Sequence, residues 1–189
     1  MGLDGNFHGT TYQGGAGLAG TVFRITPSGG LTVLYSFLNS GDGAYPRTPP
    51  VPAPDGNLYG ITANHAASTL YRISSTGVFQ VLVTLPAESD GALSLGLDGK
   101  LYGTTLYGGT FNQGTAFSIT TAGVFKTLYN FDSPTGSNPQ SGLLQASDGN
   151  FYGTTSLGGT SGGGVVYRLT PAGRLQGGAQ LYRSPEHFG

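Results

Sequence analysis

The chain has 189 residues, 35 of them Gly; only 9% are charged and the formal net charge is −1. Glu, Lys and Met are so scarce that a helical bundle is excluded, and the supply of Phe and Tyr with so little charge excludes disorder. The chain has no Cys, no apolar run of spanning length and no basic or apolar stretch at Met1-Gly2-Leu3-Asp4, and its Lys and Arg stand singly, so no disulfide framework, membrane span, signal peptide or nucleic-acid surface is expected.

One phrase opens the chain and returns three times. Asp4-Gly5-Asn6-Phe7-His8-Gly9-Thr10-Thr11 is followed, at intervals of 51, 43 and 50 residues, by copies that start at Asp55, Asp98 and Asp148. In the first unit the Asp-Gly pair reads as a tight turn, because Gly accepts positive φ and Asp bonds its own backbone. A strand over 7–11 follows, then a glycine-rich loop and a second strand, Val22-Phe23-Arg24-Ile25-Thr26. The turn Pro27-Ser28-Gly29-Gly30 leads to a third, from Leu31 to Phe37. The second unit gains a leading strand around Thr48 to Ala53, then repeats the order through 55–62, Leu70 to Ser74 and Val78 to Leu85. The third reads Ala92 to Leu97, 98–105, Ala116 to Thr120 and Val124 to Phe131. The fourth reads Ser141 to Ala146, 148–155, Val166 to Thr170 and a degraded strand within Leu175 to Tyr182.

Four short antiparallel strands in a unit of 40 to 50 residues are the mark of a propeller blade. The expected fold is therefore all-β, a β-propeller built from about four four-stranded antiparallel blades near 4–37, 55–85, 98–131 and 148–182, in one repeat domain over 1–189. Side chains alternate along a strand, so Phe7, Leu58, Leu101 and Phe151 face one way and His8, Tyr59, Tyr102 and Tyr152 the other. Both faces of each sheet thus need a neighbour. Four copies of the repeated strand are preceded by only three leading strands, which leaves the edge of 7–11 open. Residues 179–184 are expected to pair there, or a second chain does so as a homo-oligomer through the open N-terminal blade. The competing reading makes Gln180 to Arg183 the outer strand of the last blade.

The wording Asp-Gly-Asn-Phe-Tyr-Gly-Thr-Thr at 148–155, Gly-Thr-Val-Phe-Arg-Ile-Thr-Pro-Ser-Gly at 20–29 and Leu-Tyr-Ser-Phe at 34–37 resembles the glycine-rich tandem repeat family named GloVer (Gloeo-Verruco), over about residues 2–182. The resemblance implies a bacterial many-repeat protein that is exported or attached to the cell surface. The order of motifs is also similar in a general way to sugar-binding lectin propellers, which is an analogy of fold alone.

Several motifs reduce to scaffold. Gly15-Ala16-Gly17-Leu18-Ala19-Gly20 spells the dinucleotide fingerprint, but a strand and not a helix follows it. Gly159-Thr160-Ser161-Gly162-Gly163 spells the hydrolase elbow, again with no helix after it. Asp4, Asp55, Asp98 and Asp148 are read as turn residues, Arg24, Arg72 and Arg168 as structural, and His8 as a packing substitution for Tyr.

The loops differ between units while the strands do not, so selectivity is expected on the face formed by 12–20, 38–47, 63–68, 86–92, 106–114 and 132–140. Two function classes are open. The first is a binding module for a carbohydrate, small molecule or protein, with Tyr12, Tyr45, Asn64, Tyr107, Asn112 and Gln113 supplying stacking and amide bonds. The second is a Ca²⁺-dependent hydrolase of a small lactone or ester, with Asp42, Asp90 and Asp132 as oxygen ligands and His65 as the base. Near-equivalent repeats favour binding, because catalysis needs one asymmetric site. The divergent second-unit loop that carries His65 favours the enzyme.

Overall fold

The computed structural model describes residues 2–63 and 68–181. Its strands are β1 (Phe7–Thr11), β2 (Thr21–Ile25), β3 (Leu31–Ser36), β4 (Val51–Pro52), β5 (Asn57–Ile61), β6 (Thr69–Ser74), β7 (Phe79–Thr84), β8 (Ser94–Leu95), β9 (Leu101–Thr105), β10 (Thr115–Ile119), β11 (Phe125–Asn130), β12 (Leu144–Gln145), β13 (Phe151–Thr154), β14 (Val165–Leu169) and β15 (Leu175–Gln180). They form four antiparallel meanders in chain order, β1–β3, β4–β7, β8–β11 and β12–β15. The protein is all-β, and no helix among the described residues is long and apolar enough to cross a membrane.

The same turn precedes β1, β5, β9 and β13. The carboxylates of Asp4, Asp55, Asp98 and Asp148 accept the backbone N–H two residues on at 3.0–3.1 Å, and the following Gly sits at a φ of 75–79°. In three copies the turn also fixes the strand behind it. The hydroxyls of Tyr59, Tyr102 and Tyr152 donate to Asp55, Asp98 and Asp148 at 2.6, 2.9 and 2.9 Å. Burial, reinforced by the adjacent carboxylate, pushes Tyr59 and Tyr102 up to about 12.

The glycine inside the repeated strand has a packing role. Gly9, Gly60, Gly103 and Gly153 stand opposite Phe23, Tyr71, Phe117 and Tyr167 on the next strand. Each ring lies flat across its glycine, and a Cβ at Gly103 would fall 2.6 Å from Phe117 Cζ. The hydroxyls of Tyr71 and Tyr167 are buried there without a hydrogen-bond partner among the described residues. Where the middle strand meets the outer strand, every sheet carries a register shift at the same place, which twists the outer strand.

Three apolar clusters join the four sheets. Val22 and Phe37 meet Leu58, Tyr71 and Ile73 between the first and second sheets. Tyr59, Ile61 and Leu70 meet Leu101, Phe117 and Ile119 between the second and third. Tyr102, Ala116 and Phe131 meet Phe151, Tyr167 and Leu169 between the third and fourth. The innermost strands are shorter than their sequence implies, two residues each. Pro52 lacks a donor in the second sheet, and in the third and fourth the inner segments pinch together. A Cβ at Gly142 would lie 2.5 Å from the Ala92 carbonyl oxygen. The expected pairing of residues 179–184 with β1 is corrected for its described part: Ala179 and Gln180 pair with Val166 and Val165, making β15 the outer strand of the fourth sheet. The outward carbonyls and N–H groups of β14 take them because chain-adjacent antiparallel strands close with a short turn.

Two outcomes follow from this packing. Gly103→Ala forces Phe117 off its seat and is expected to cost about 1–3 kcal/mol, whereas Tyr71→Phe removes an unpartnered hydroxyl and is expected to leave the melting temperature unchanged or raised. Thermal melts of both variants check this, and a stable Gly103→Ala or a strongly destabilised Tyr71→Phe contradicts it. The second concerns alkali. Tyr59 and Tyr102 titrate near 12 when folded, above the ordinary value of about 10. The unfolded chain therefore loses these protons first, so their contribution is complete below about pH 10 and drains away as pH rises toward 12. Melting temperatures measured from pH 8 to 12 should be level and then fall across that window.

Candidate functional site

Two sets of loops meet at one end of the sheets. The loops β1–β2, β9–β10 and β13–β14 share one geometry. The N–H groups of Gly20, Gly114 and Gly164 donate to the carbonyls of Gly14, Gly108 and Gly158 at 3.0–3.2 Å. Leu18, Asn112 and Gly162 take positive φ at the same point of the loop. Both glycine motifs lie in these loops and lead into strands β2 and β14, as expected, and the Ser161 hydroxyl donates to the Leu181 carbonyl.

The loops between sheets pack beside them. Tyr45 N–H donates to the Ala19 carbonyl at 2.7 Å, and Asn138 N–H to that of Gln113 at 2.9 Å, both from a residue with φ near +55°. Asn adopts this conformation readily, but for a bulky ring it is strained. Tyr45 lies 5.2 Å from the Tyr12 ring, centroid to centroid. The Arg47 guanidinium sits over the Tyr12 ring at 5.4 Å, and its Nε lies 3.3 Å from an Asp90 carboxylate oxygen that has no hydrogen-bond partner. Tyr12 is 41% exposed, Tyr45 half-buried and Arg47 exposed, so this row presents aromatic surface and a planar donor to solvent, while the Asp90 oxygen that faces Arg47 is buried.

The structure brings Tyr12, Tyr45 and Asp90 together and scatters the other candidates. Asp42 accepts the N–H of Leu38 at 2.8 Å and of Ser40 at 3.0 Å and the Tyr35 hydroxyl at 3.0 Å. Burial opposes ionisation there, but those donors hold its carboxyl below the ordinary value, and burial with that carboxylate raises Tyr35 to about 12. Asp132 accepts the Thr135 N–H and hydroxyl. Each of these carboxylates serves its own loop or Arg47, and among the described residues no three His, Asp or Glu side chains gather. The three Asp do not make a Ca²⁺ donor set, which needs six to eight converging oxygens. His65 and Asn64 lie outside the described residues. Tyr107 is exposed, the Asn112 side chain caps Gly108 N–H at 3.0 Å, and Gln113 is bound to Ser133. Arg47 is the member of this row that the sequence alone did not single out. Its signal was that it falls outside the register shared by Arg24, Arg72 and Arg168. Phe111, exposed in the same loop as Tyr107, was also missed.

A family model described as the Gloeobacter/Verrucomicrobia repeat matches the chain twice, over residues 1–97 and 87–182. No curated protein sequence matches it. Solved structures resemble it in fold: a chain of the nidogen/laminin complex (TM-score 0.62, 13% identity, 92% of this chain and 60% of that one), TolB from Acinetobacter baumannii (0.58, 15%, 93% and 42%) and a putative gluconolactonase (0.58, 16%, 93% and 60%). All three are β-propeller proteins, and the fold is propeller-like. The chain spans less than two thirds of the length of each.

Proposed function

The chain belongs to the Gloeobacter/Verrucomicrobia repeat family, and from that premise we propose that it is a ligand-binding propeller module that holds a sugar ring on its loop face. The observation that carries this reading is the row Tyr45–Tyr12–Arg47–Asp90. The C–H face of a pyranose stacks on an exposed aromatic ring, and its hydroxyls need donors and acceptors fixed beside that ring. Arg47 is exposed and offers planar N–H groups, and the Asp90 carboxylate holds its Nε in place beside the ring. A tyrosine at positive φ supports the same reading: such strain costs about 1–3 kcal/mol and persists at ligand clamps. The alternative is a Ca²⁺-dependent lactone or ester hydrolase using Asp42, Asp90, Asp132 and His65. It is the weaker reading, because the three carboxylates already serve other donors. Saturation-transfer NMR against mono- and oligosaccharides tests the proposal. Tyr12→Ala and Arg47→Ala are expected to weaken sugar binding at least about tenfold, or roughly 1.4 kcal/mol, without moving the melting temperature. Wild type that binds no sugar, or Tyr12→Ala that binds as well as wild type, contradicts it.

A second reading concerns a partner. Phe7 is 51% exposed, where its counterparts Leu58, Leu101 and Phe151 are buried under the preceding sheet. Leu31 and Val33 are exposed beside it. The far side of the fourth sheet offers Leu144, Tyr152 and Val166, partly exposed where Tyr59, Tyr102, Leu70 and Ala116 are buried. The three internal interfaces mate these same two kinds of face, so we infer that the fourth sheet of one copy stacks on the first sheet of another, head to tail. Light scattering should show association that rises with concentration and is lost in Phe7→Asp. A wild type that stays monomeric at high concentration overturns it.

A further inference from the structure

At the other end of the sheets from the loop face, a cavity of about 290 Å³ opens between the first and second sheets. Asp4 and His8 line it on one side and Pro52, Ala53, Leu58 and Ser75 on the other. Its origin is visible by internal comparison. At the corresponding places further along the chain, Tyr59 and Tyr102 fill the space, and their hydroxyls reach the turn carboxylates of Asp55 and Asp98. Tyr102 stacks on Phe151 of the next sheet with ring centroids 4.0 Å apart, so the gap between sheets admits an aromatic ring.

In the first sheet His8 occupies that position and is shorter. Its Nε2 stops 3.5 Å from Asp4 Oδ2, and neither ring nitrogen has a hydrogen-bond partner among the described residues, although the side chain is only 4% exposed. Arg24 stands opposite His8 on β2. Its Nη1 donates to the Ser75 carbonyl at 3.3 Å, and its Nε is buried without a partner. Buried polar atoms left unpaired are costly, and the two nitrogens of a side chain that lines a cavity call for an explanation. Burial holds the imidazole below its ordinary value, against the pull of Asp4, so it is neutral near pH 7 and offers one donor and one acceptor. Asp4 Oδ2 accepts the Asn6 side-chain amide at 2.9 Å and has capacity for a second donor.

We propose that this cavity is a binding site for a small phenol, a single aromatic ring bearing one hydroxyl. The hydroxyl takes the place that the tyrosine hydroxyl holds in the second and third sheets. It donates to Asp4 beside the His8 side chain, while the ring lies against Pro52, Ala53 and Leu58. The volume suits one ring, at the small end of ligand pockets. A hydroxyl fits better than an anion, because the Asp4 carboxylate lines the site, and better than a plain hydrocarbon, because that carboxylate needs a donor. The site is separate from the loop-face row and does not depend on it.

The probe is p-cresol, with toluene as its isostere lacking the hydroxyl, titrated into the full chain and followed by NMR. Saturable shifts are expected at the His8 ring and at the Gly56 and Asn57 amides, with toluene at least tenfold weaker. His8→Tyr restores the repeated residue, fills the cavity and is expected to abolish cresol binding while raising the melting temperature by several degrees. Asp4→Asn is expected to weaken cresol more than toluene. Absence of saturable shifts in wild type, undiminished binding in His8→Tyr, or equal affinity for toluene and p-cresol each overturns the assignment.

Discussion

The rest of the structure depends on one contact, the aromatic ring laid over a glycine on the neighbouring strand. Gly9, Gly60, Gly103 and Gly153 each sit beneath Phe23, Tyr71, Phe117 or Tyr167. A Cβ at any of them would collide with the ring. With the ring flat against its own sheet, its outer surface becomes the packing face for the preceding sheet, where Ile73, Ile119 or Leu169 lies beside it. Glycine within a strand is otherwise unfavourable, and here the ring supplies the contacts that its missing side chain would have made.

This arrangement makes each sheet two-sided. One face carries the second-strand apolar residue with the ring and the branched residue of the third strand. The other carries tyrosine with a small or branched neighbour. Such a sheet cannot cover itself, and its stability comes from stacking on a copy of itself, as in repeat proteins generally. The burial of Leu58, Leu101 and Phe151 against the exposure of Phe7 shows the same residue position with and without that cover. In the second, third and fourth sheets the tyrosine ties the second strand to its Asp-Gly turn, both where its ring lies between sheets, at Tyr59 and Tyr102, and where it is partly exposed, at Tyr152.

Against so regular a frame, departures from the repeat mark the candidate sites. Tyr45 adopts at cost a backbone conformation that Asn138 adopts easily. Arg47 is out of register with the structural arginines, and lies over Tyr12. His8 replaces tyrosine and leaves three buried nitrogens unpaired, counting Arg24 Nε. The first two lie on the loop face and the third at the opposite end, so the two ends of the sheets differ in chemistry.

The strands, their order, the turns and the direction of each side chain were legible in the sequence, because they follow from local rules: period-two alternation, Asp-Gly turns and β-branched or aromatic runs repeated four times. The apolar character of both faces was legible for the same reason. Three features were decided by tertiary structure. The inner strands shrank to two residues because neighbouring sheets converge there, as the contact of Gly142 with Ala92 shows. Residues 179 and 180 stayed with the rest of β15 in the fourth sheet rather than pairing with β1, because their partner lay one short turn away. The third was the candidate site. Asp42, Asp90 and Asp132 looked alike as loop carboxylates, yet one ties down its own loop, one faces Arg47 and one binds Thr135. Sequence names the residue types that a loop carries, but which groups meet across loops 35 residues apart, as Tyr12 and Arg47 do, depends on how the sheets stack, and that is set by contacts remote in the chain.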